Sequence, residues 1–301
     1  MAFWTQMFCY LFSVICSYVR ILFKYIARKI TGKCEISRII ANYTKGAPRT
    51  LEIENSLRKS KSNSIRKGLF LDKSTDVGPY VKLVIKLKCI SLKGQPNFPT
   101  DYIYCINQIN SYRELTSKLE TLRSTAFNWD DHYHTELLSR MWDSLCPQGE
   151  DSTHNEKQWT LLGFQTNNPG TDFRGMGVLS LENLVYFAEM HRKLARSILS
   201  ASSHPKKWYP FAVAGINLTK LLYSFMLRGI LKTQFYNTTS SVSIQDFNEF
   251  YCYTFYSFHE FWMKQSRDVM LFNEYRNEFE NKLKDRLLDM NCRLSLPEGK
   301  E

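Results

Sequence analysis

The chain has 301 residues, 44% of them hydrophobic, which excludes the disordered class and supplies one good-sized core or two small ones. Its formal net charge is +11, and thirteen Lys or Arg stand against three Glu between Arg20 and Lys67, so almost the whole excess sits there and no nucleic-acid footprint is expected elsewhere. Eight Cys without a C-x-x-C or other metal spacing read as free thiols in a reducing compartment, which excludes a disulfide framework.

From Ala2 to Val19 no side chain is charged, and the run approaches the roughly 20 residues that span a bilayer. Positive charges follow the apolar stretch instead of preceding it, so a membrane segment is expected here and a cleaved signal peptide is not. Trp4, Tyr10 and Tyr18 suit interface anchors; Thr5, Gln6, Ser13 and Ser17 leave spanning, shallow and hairpin insertion as alternatives, with a buried helix as the ordinary one. Arg20, Lys24 and Arg28 recur at helical spacing with Lys29 beside them, an amphipathic basic helix ended by Gly32 and suited to an anionic membrane surface. The rest of the chain then lies on the cytosolic side, and the sequons at Asn42, Asn217 and Asn237 stay unmodified.

Residues Ile36 to Pro99 are basic and in places Ser/Lys-rich, and their apolar stretch VKLVIKLKCI fits helix or strand by pattern alone. The spacing predicts a helix over Tyr102–Arg123 and another over Thr135–Leu145, closed by Pro147. Asp130, Asp131, His132 and His134 have metal-ligand residue types, but such a cluster before a helix reads as a solvated cap, and no metal is expected. The apolar stretch Trp208–Leu231 contains Pro210, Gly215, Asn217 and Lys220 and reads as a core helix. Ser243 and Asp246 form a capping box ahead of a helix whose Phe247, Tyr251, Phe255, Phe258 and Trp262 share one buried face. A last charged helix is expected from about Asp268 to Met290; strands are scarce, so the fold class is all-α.

The most unusual segment is WTLLGFQTNNPGTDFRGMGVLSLENLVYFA, Trp159 to Ala188. Its centre, Thr166 to Gly177, holds three Gly and one Pro among polar residues, directly before the periodic Leu181, Leu184, Val185 and Ala188. Glycines at 175 and 177 are expected to let the backbone approach a partner closely and to project Arg174 outward. The ordinary alternative pairs Arg174 with Asp172 or uses it to cap the next helix. No G-x-x-x-x-G-K-[ST] phosphate loop is present, so the chain does not read as a GTPase.

Trp159, Gly163, Phe164, Gln165, Pro169, Thr171, Asp172, Phe173, Arg174, Gly175 and Gly177 together match W-x3-G-F-Q-x3-P-x-T-D-F-R-G-x-G, the pattern of the ELMO domain family. TGKCEISRI, IENSL, FAVAGINLT and FYCYTFYSFHEFW extend the resemblance over nearly the whole chain. Close relatives carry Gly-Asp-Asp where this chain has Thr166, Asn167 and Asn168, a departure that lowers the loop's negative charge. The resemblance implies a compact multi-helix domain that accelerates GTP hydrolysis on GTP-loaded Arf and Arf-like small GTPases, with Arg174 as the essential arginine. It implies no cofactor of the chain's own, since GTP and Mg belong to the partner. Trp159, Phe164, Pro169 and Asp172 then hold the loop's shape, and Gln165 orients water or packs. A rival implication is a scaffold, since other ELMO-family members bind regulators of Rac-type GTPases without accelerating hydrolysis. On this reading residues 1–33 associate with membranes, 34–125 form a basic linker and N-terminal helical part, 126–290 the domain core and 291–301 a tail. The expected location is the cytosolic face of an intracellular membrane, the endoplasmic reticulum, lipid droplets and mitochondria being alternatives, with some protein free in the cytoplasm.

Overall fold

The computed structural model describes residues 7, 12, 19, 22–72, 75–146, 156–238, 241–289 and 294–296. Every regular element among the described residues is helical, as the all-α expectation required. Most of the Ala2–Val19 segment, Arg20 and most of the tail from residue 291 lie outside the described residues. No helix among those described is long and apolar enough to cross a membrane.

The chain divides into two compact units, Met1–Asn110 and Ser111–Glu301. In the first, helix α1 covers residues 22–31 and stops at Gly32, whose φ of +64° is the left-handed conformation that terminates helices. Helices α2 (Glu35–Asn42), α3 (Ala47–Arg58), α4 (Asn63–Arg66) and α5 (Val77–Lys88) follow. Ile36, Ile39, Ile53, Leu57, Val81 and Val84 form their core. The stretch VKLVIKLKCI therefore resolves as helix, closed by Cys89 in the left-handed region at φ 51°. Tyr80 Oη donates to the Ile65 carbonyl at 2.7 Å and shares a 3.1 Å hydrogen bond with Tyr102 Oη, so both buried hydroxyls are satisfied. Burial pushes the pKa of each phenol up.

Helix α6 (Phe98–Ser124) contains the division between the units and is longer at both ends than the Tyr102–Arg123 predicted from spacing. Pro99 sits in its first turn, where a missing N–H costs nothing. The second unit continues with α7 (His132–Leu145), α8 (Gly177–Met190), α9 (Arg192–Ser202), α10 (Phe211–Leu227), α11 (Lys232–Phe235), α12 (Ile244–Met263) and α13 (Phe272–Leu288). Helix α8 is the centre of this unit and packs against α7, α9, α10 and α12. Leu179, Leu181, Phe187, Leu222, Phe225, Phe247, Tyr251, Phe255, Phe258 and Trp262 are fully buried around it. The stripe read from the sequence is thus core, and each such large side chain contributes roughly 1.5–3 kcal/mol or more of burial free energy.

Local chemistry sets the helix limits. Helix α10 starts only after Pro210, whose ring favours extended backbone for Tyr209 and whose own ψ of 108° is non-helical, so the predicted Trp208–Leu231 shortens. Ser243 and Asp246 satisfy each other's backbone N–H at the start of α12, as the capping box predicts, at 2.7 and 3.3 Å. Asp268 caps a short 3-10 turn, Val269–Leu271, ahead of α13, so the last regular helix begins four residues later than expected.

Candidate functional site: the arginine loop before helix α8

Between α7 and α8 the chain makes two 3-10 turns, Glu156–Leu162 and Pro169–Gly175, joined by a short loop. A string of aromatic rings underlies it. Trp159 meets Trp142 of α7 edge-on at 5.4 Å and Phe164 at 5.8 Å; Phe164 meets Phe173 at 5.7 Å, and Phe173 meets Phe127 at 5.6 Å. Trp159, Phe164, Pro169 and Phe173 are all buried, and such edge-to-face contacts favour one orientation of the loop over sliding.

Two glycines anchor the ends. Gly163 has φ +82°, and a side chain there would stand 2.3 Å from the Phe211 backbone nitrogen; its carbonyl accepts from Val213 N–H at 3.2 Å. Gly177 has φ +53°, with the Arg123 and Thr125 carbonyls 2.4 Å from where a Cβ would be. The close approach at Gly177 is therefore to the chain's own backbone, not to a partner as expected from sequence. Gly175 has nothing within 4 Å of its would-be Cβ and remains the open position beside Arg174.

The polar residues are arranged between these anchors. Asn168 caps the second 3-10 turn, its Oδ1 accepting from Gly170 N–H at 3.1 Å and from the Trp129 indole at 3.2 Å. Thr166 Oγ1 accepts from Asn168 N–H at 3.1 Å and lies 3.3 Å from Thr171 Oγ1. Thr166 and Asn168 thus hold the turn's shape through their own side chains. Asp172 Oδ2 accepts from Gln165 N–H at 2.8 Å, drawing the start of the loop onto its end. Arg174 does not pair with Asp172. Its Nε donates to the Thr171 carbonyl at 2.9 Å, while the two terminal amino groups of this exposed guanidinium have no partner among the described residues. An N–H tether through Nε fixes the plane of the fork and leaves its outward edge available for two parallel hydrogen bonds.

Sequence reading did not find the support from Phe127, Trp129, Trp142 and His134. His134 was expected in a solvated cap with Asp131; Asp131 caps α7 by accepting from Tyr133 N–H at 2.9 Å, whereas His134 is buried, with its Nε2 3.8 Å from Asp131 Oδ2. Its Nδ1 accepts from Asn128 N–H at 3.1 Å and its ring stacks on Phe127 at 5.6 Å. Among the described residues no group of three His, Cys, Asp or Glu could hold a metal ion. A cavity of about 340 Å³ opens beside the loop, between Trp129, Leu138, Trp159 and Asn168.

The basic residues read for membrane contact belong to the first unit. Lys24 pairs with Glu35 at 2.5 Å, Lys29 lies over the Tyr25 ring at 5.8 Å, Arg28 is exposed, and Arg20 falls outside the described residues.

Residues 117–276 match the model of the ELMO/CED-12 family, a span that contains the whole arginine loop and helices α7 to α12. The chain is 40% identical over 281 residues to ELMO domain-containing protein 2 of Homo sapiens, covering 93% of this chain and 95% of that one. It is 35% identical over 295 residues to human ELMO domain-containing protein 1, covering 89% and 88%. Against ELMO domain-containing protein B of Dictyostelium discoideum it is 33% identical over 268 residues, covering 87% and 93%. With the family model matched over more than half its length and relatives aligned nearly end to end, this chain belongs to the ELMO/CED-12 family.

Proposed function

We propose that this chain is a GTPase-activating protein for GTP-loaded Arf and Arf-like small GTPases and that it supplies Arg174 to the partner's nucleotide site. The observation that carries the proposal is the state of Arg174: exposed and, among the described residues, tethered only through Nε and unpaired at its terminal amino groups, although an Asp stands two residues away. In phosphoryl transfer negative charge spreads over the γ-phosphate and leaving oxygens. A guanidinium donated in trans opposes that charge where water is excluded, which accelerates hydrolysis by about 10³–10⁵. Arg serves better than Lys because the fork is planar, permanently charged and bidentate.

In this reading the chain needs no cofactor of its own, and the partner brings both GTP and Mg²⁺. The exposed Gly175 leaves room for the partner's surface next to Arg174. The cavity beside Trp129 offers a place for an apolar side chain of the partner, an anchor of the kind that carries much of the binding energy at protein interfaces. Residues 1–33 hold the chain on the cytosolic face of an intracellular membrane, where lipid-anchored GTPases are concentrated.

The test is single-turnover hydrolysis by a panel of GTP-loaded Arf-family proteins, with and without this chain. The expected result is strong acceleration of at least one member. Binding of the GTP-loaded partners without acceleration of any would instead establish the scaffold reading.

A further inference from the structure

The first unit contains a cavity of about 260 Å³, far above the roughly 10–15 Å³ that one water needs. Lys24 and Arg28 of α1, Lys59 and Lys61 after α3, and Lys88 at the end of α5 line it, against a single carboxylate, Glu35. That carboxylate is already engaged, by Lys24 at 2.5 Å and by Ser56 Oγ at 2.8 Å. Arg28, Lys59, Lys61 and Lys88 form no ion pair among the described residues, so four of the five cations that line the cavity have no counter-charge there. Cys34, Glu35 and Ile36, which also line the cavity, are the N-cap and first residues of α2, and Cys34 gives that helix no side-chain cap. The first turn of α2, which also carries Glu35, therefore borders the cavity.

Helix α1 presents an apolar face beside this cavity. At 100° per residue Leu22, Phe23, Ile26 and Ile30 share one face, and all four are exposed, Ile30 by 79%. Lys24 and Arg28 occupy the opposite face and border the cavity. A helix with an apolar outer face and a basic inner one suits the boundary between acyl chains and headgroups, where the apolar face enters the lipid. We infer that this cavity is a binding site for a phosphomonoester-bearing polyol headgroup, as presented by a phosphoinositide. The site requires more than net charge: a phosphate inside it meets several cations together, whereas a phosphodiester headgroup such as phosphatidylserine cannot present a dianionic phosphate. The lipid source rests on the proposed membrane association of residues 1–33; the phosphate chemistry of the cavity does not.

The experiment uses the full chain with three probes: phosphatidylcholine vesicles carrying a phosphatidylinositol bisphosphate, vesicles carrying phosphatidylserine at matched charge, and soluble inositol trisphosphate. The native chain is expected to prefer the phosphoinositide vesicles by about tenfold or more, and the soluble phosphate is expected to compete. Lys59→Gln, Lys61→Gln and Lys88→Gln together leave α1 intact and should abolish the preference and the soluble binding. Lys67→Gln, Lys82→Gln and Lys86→Gln remove the same charge from exposed positions that do not line the cavity, and should retain both. Vesicle binding with no headgroup preference would overturn the inference and leave membrane association standing. Soluble binding without any vesicle binding would keep the site, assign it to a soluble phosphate, and overturn membrane association. Equal losses in the two triple variants would also overturn the inference.

Discussion

Arg174 and Asp172 stand two residues apart with opposite charges, yet each is committed elsewhere: Asp172 to Gln165 N–H and Arg174 Nε to the Thr171 carbonyl. The separation gives Arg174→Lys a distinctive expected outcome. Folding should stay within about 0.5 kcal/mol of native, as for most exposed substitutions, since no ion pair is lost. Stimulated hydrolysis should fall about 10³-fold, or roughly 4 kcal/mol of transition-state stabilisation, because Lys keeps the charge but not the planar fork. Binding of the GTP-loaded partner should change far less, since the developing charge exists only during transfer. Rates at saturating protein, thermal unfolding and a pull-down measure the three; retained activation in the Lys variant would remove the arginine from the chemistry. The glycines of the same motif divide by a different logic. Gly177→Ala forces a side chain into a positive-φ position 2.4 Å from two carbonyls and should cost about 2 kcal/mol or more, whereas Gly175→Ala meets open space and should be nearly neutral. Denaturant midpoints of the two variants compare these directly, and equal midpoints would refute the assignment. The sequence shows two identical residues in G-x-G; only the backbone that returns from Arg123 to Thr125 distinguishes them.

At the level of elements, what was legible in the sequence depended on range. The capping box of α12 was legible because Ser243 and Asp246 are three residues apart and satisfy each other locally. Ser243→Ala should therefore cost about 1 kcal/mol, read as a lowered unfolding midpoint, and an unchanged midpoint would mean the box is redundant with the burial of the helix. The aromatic face of α12 was legible for the same reason, since a 3.6-residue period is a property of one segment. The support beneath the arginine loop was not legible. Trp129 reaches Asn168 across 39 positions, and Phe127 reaches Phe173 across a comparable distance, with no periodic signal joining them. Helix limits failed where a neighbouring proline or a 3-10 turn intervened, as at Pro210 and Val269–Leu271. The end of α6 carries a pH-dependent contact of the same non-local kind. Hydrogen bonds from Arg123 and then Tyr223 hold the Glu120 carboxyl down to about 2, against an ordinary 4.5. A lowered folded-state pKa means stability that is fully present above the ordinary value and lost as pH falls toward the folded one. Glu120→Gln should thus flatten the stability profile between about pH 4.5 and 2, and a profile unchanged from native would show that solvent screening cancels the contact.

For the whole molecule, the two candidate sites fall in separate units. Every residue of the arginine loop, its aromatic support and both glycine anchors lies in the second unit, and the family match begins at residue 117, also within it. The basic cavity and α1 lie in the first unit. Removing residues 1–33 deletes the uncharged N-terminal run and α1, whose side chains are mostly exposed, and breaks the Lys24–Glu35 pair. A partly exposed ion pair contributes at most about 1 kcal/mol, and the buried residues from Ile36 onward remain, so the truncated chain should fold. It should leave the membrane fraction of cells and stop floating with vesicles. Its acceleration of a soluble, GTP-loaded Arf-family protein should stay within about twofold of native, because no residue proposed to meet the nucleotide has been lost, while acceleration of the same GTPase anchored on vesicles should fall in proportion to the lost local concentration. Flotation, single-turnover rates in solution and the same rates on vesicles separate the terms. A truncated chain that still floats would relocate the membrane contact beyond residue 33; one that folds but has lost activity in solution would make the N-terminal segment part of the activating surface. Glycosylation of Asn237 in cells would reverse the topology itself, since that residue follows the arginine loop in the same unit and would put the proposed catalytic face on the wrong side of the membrane.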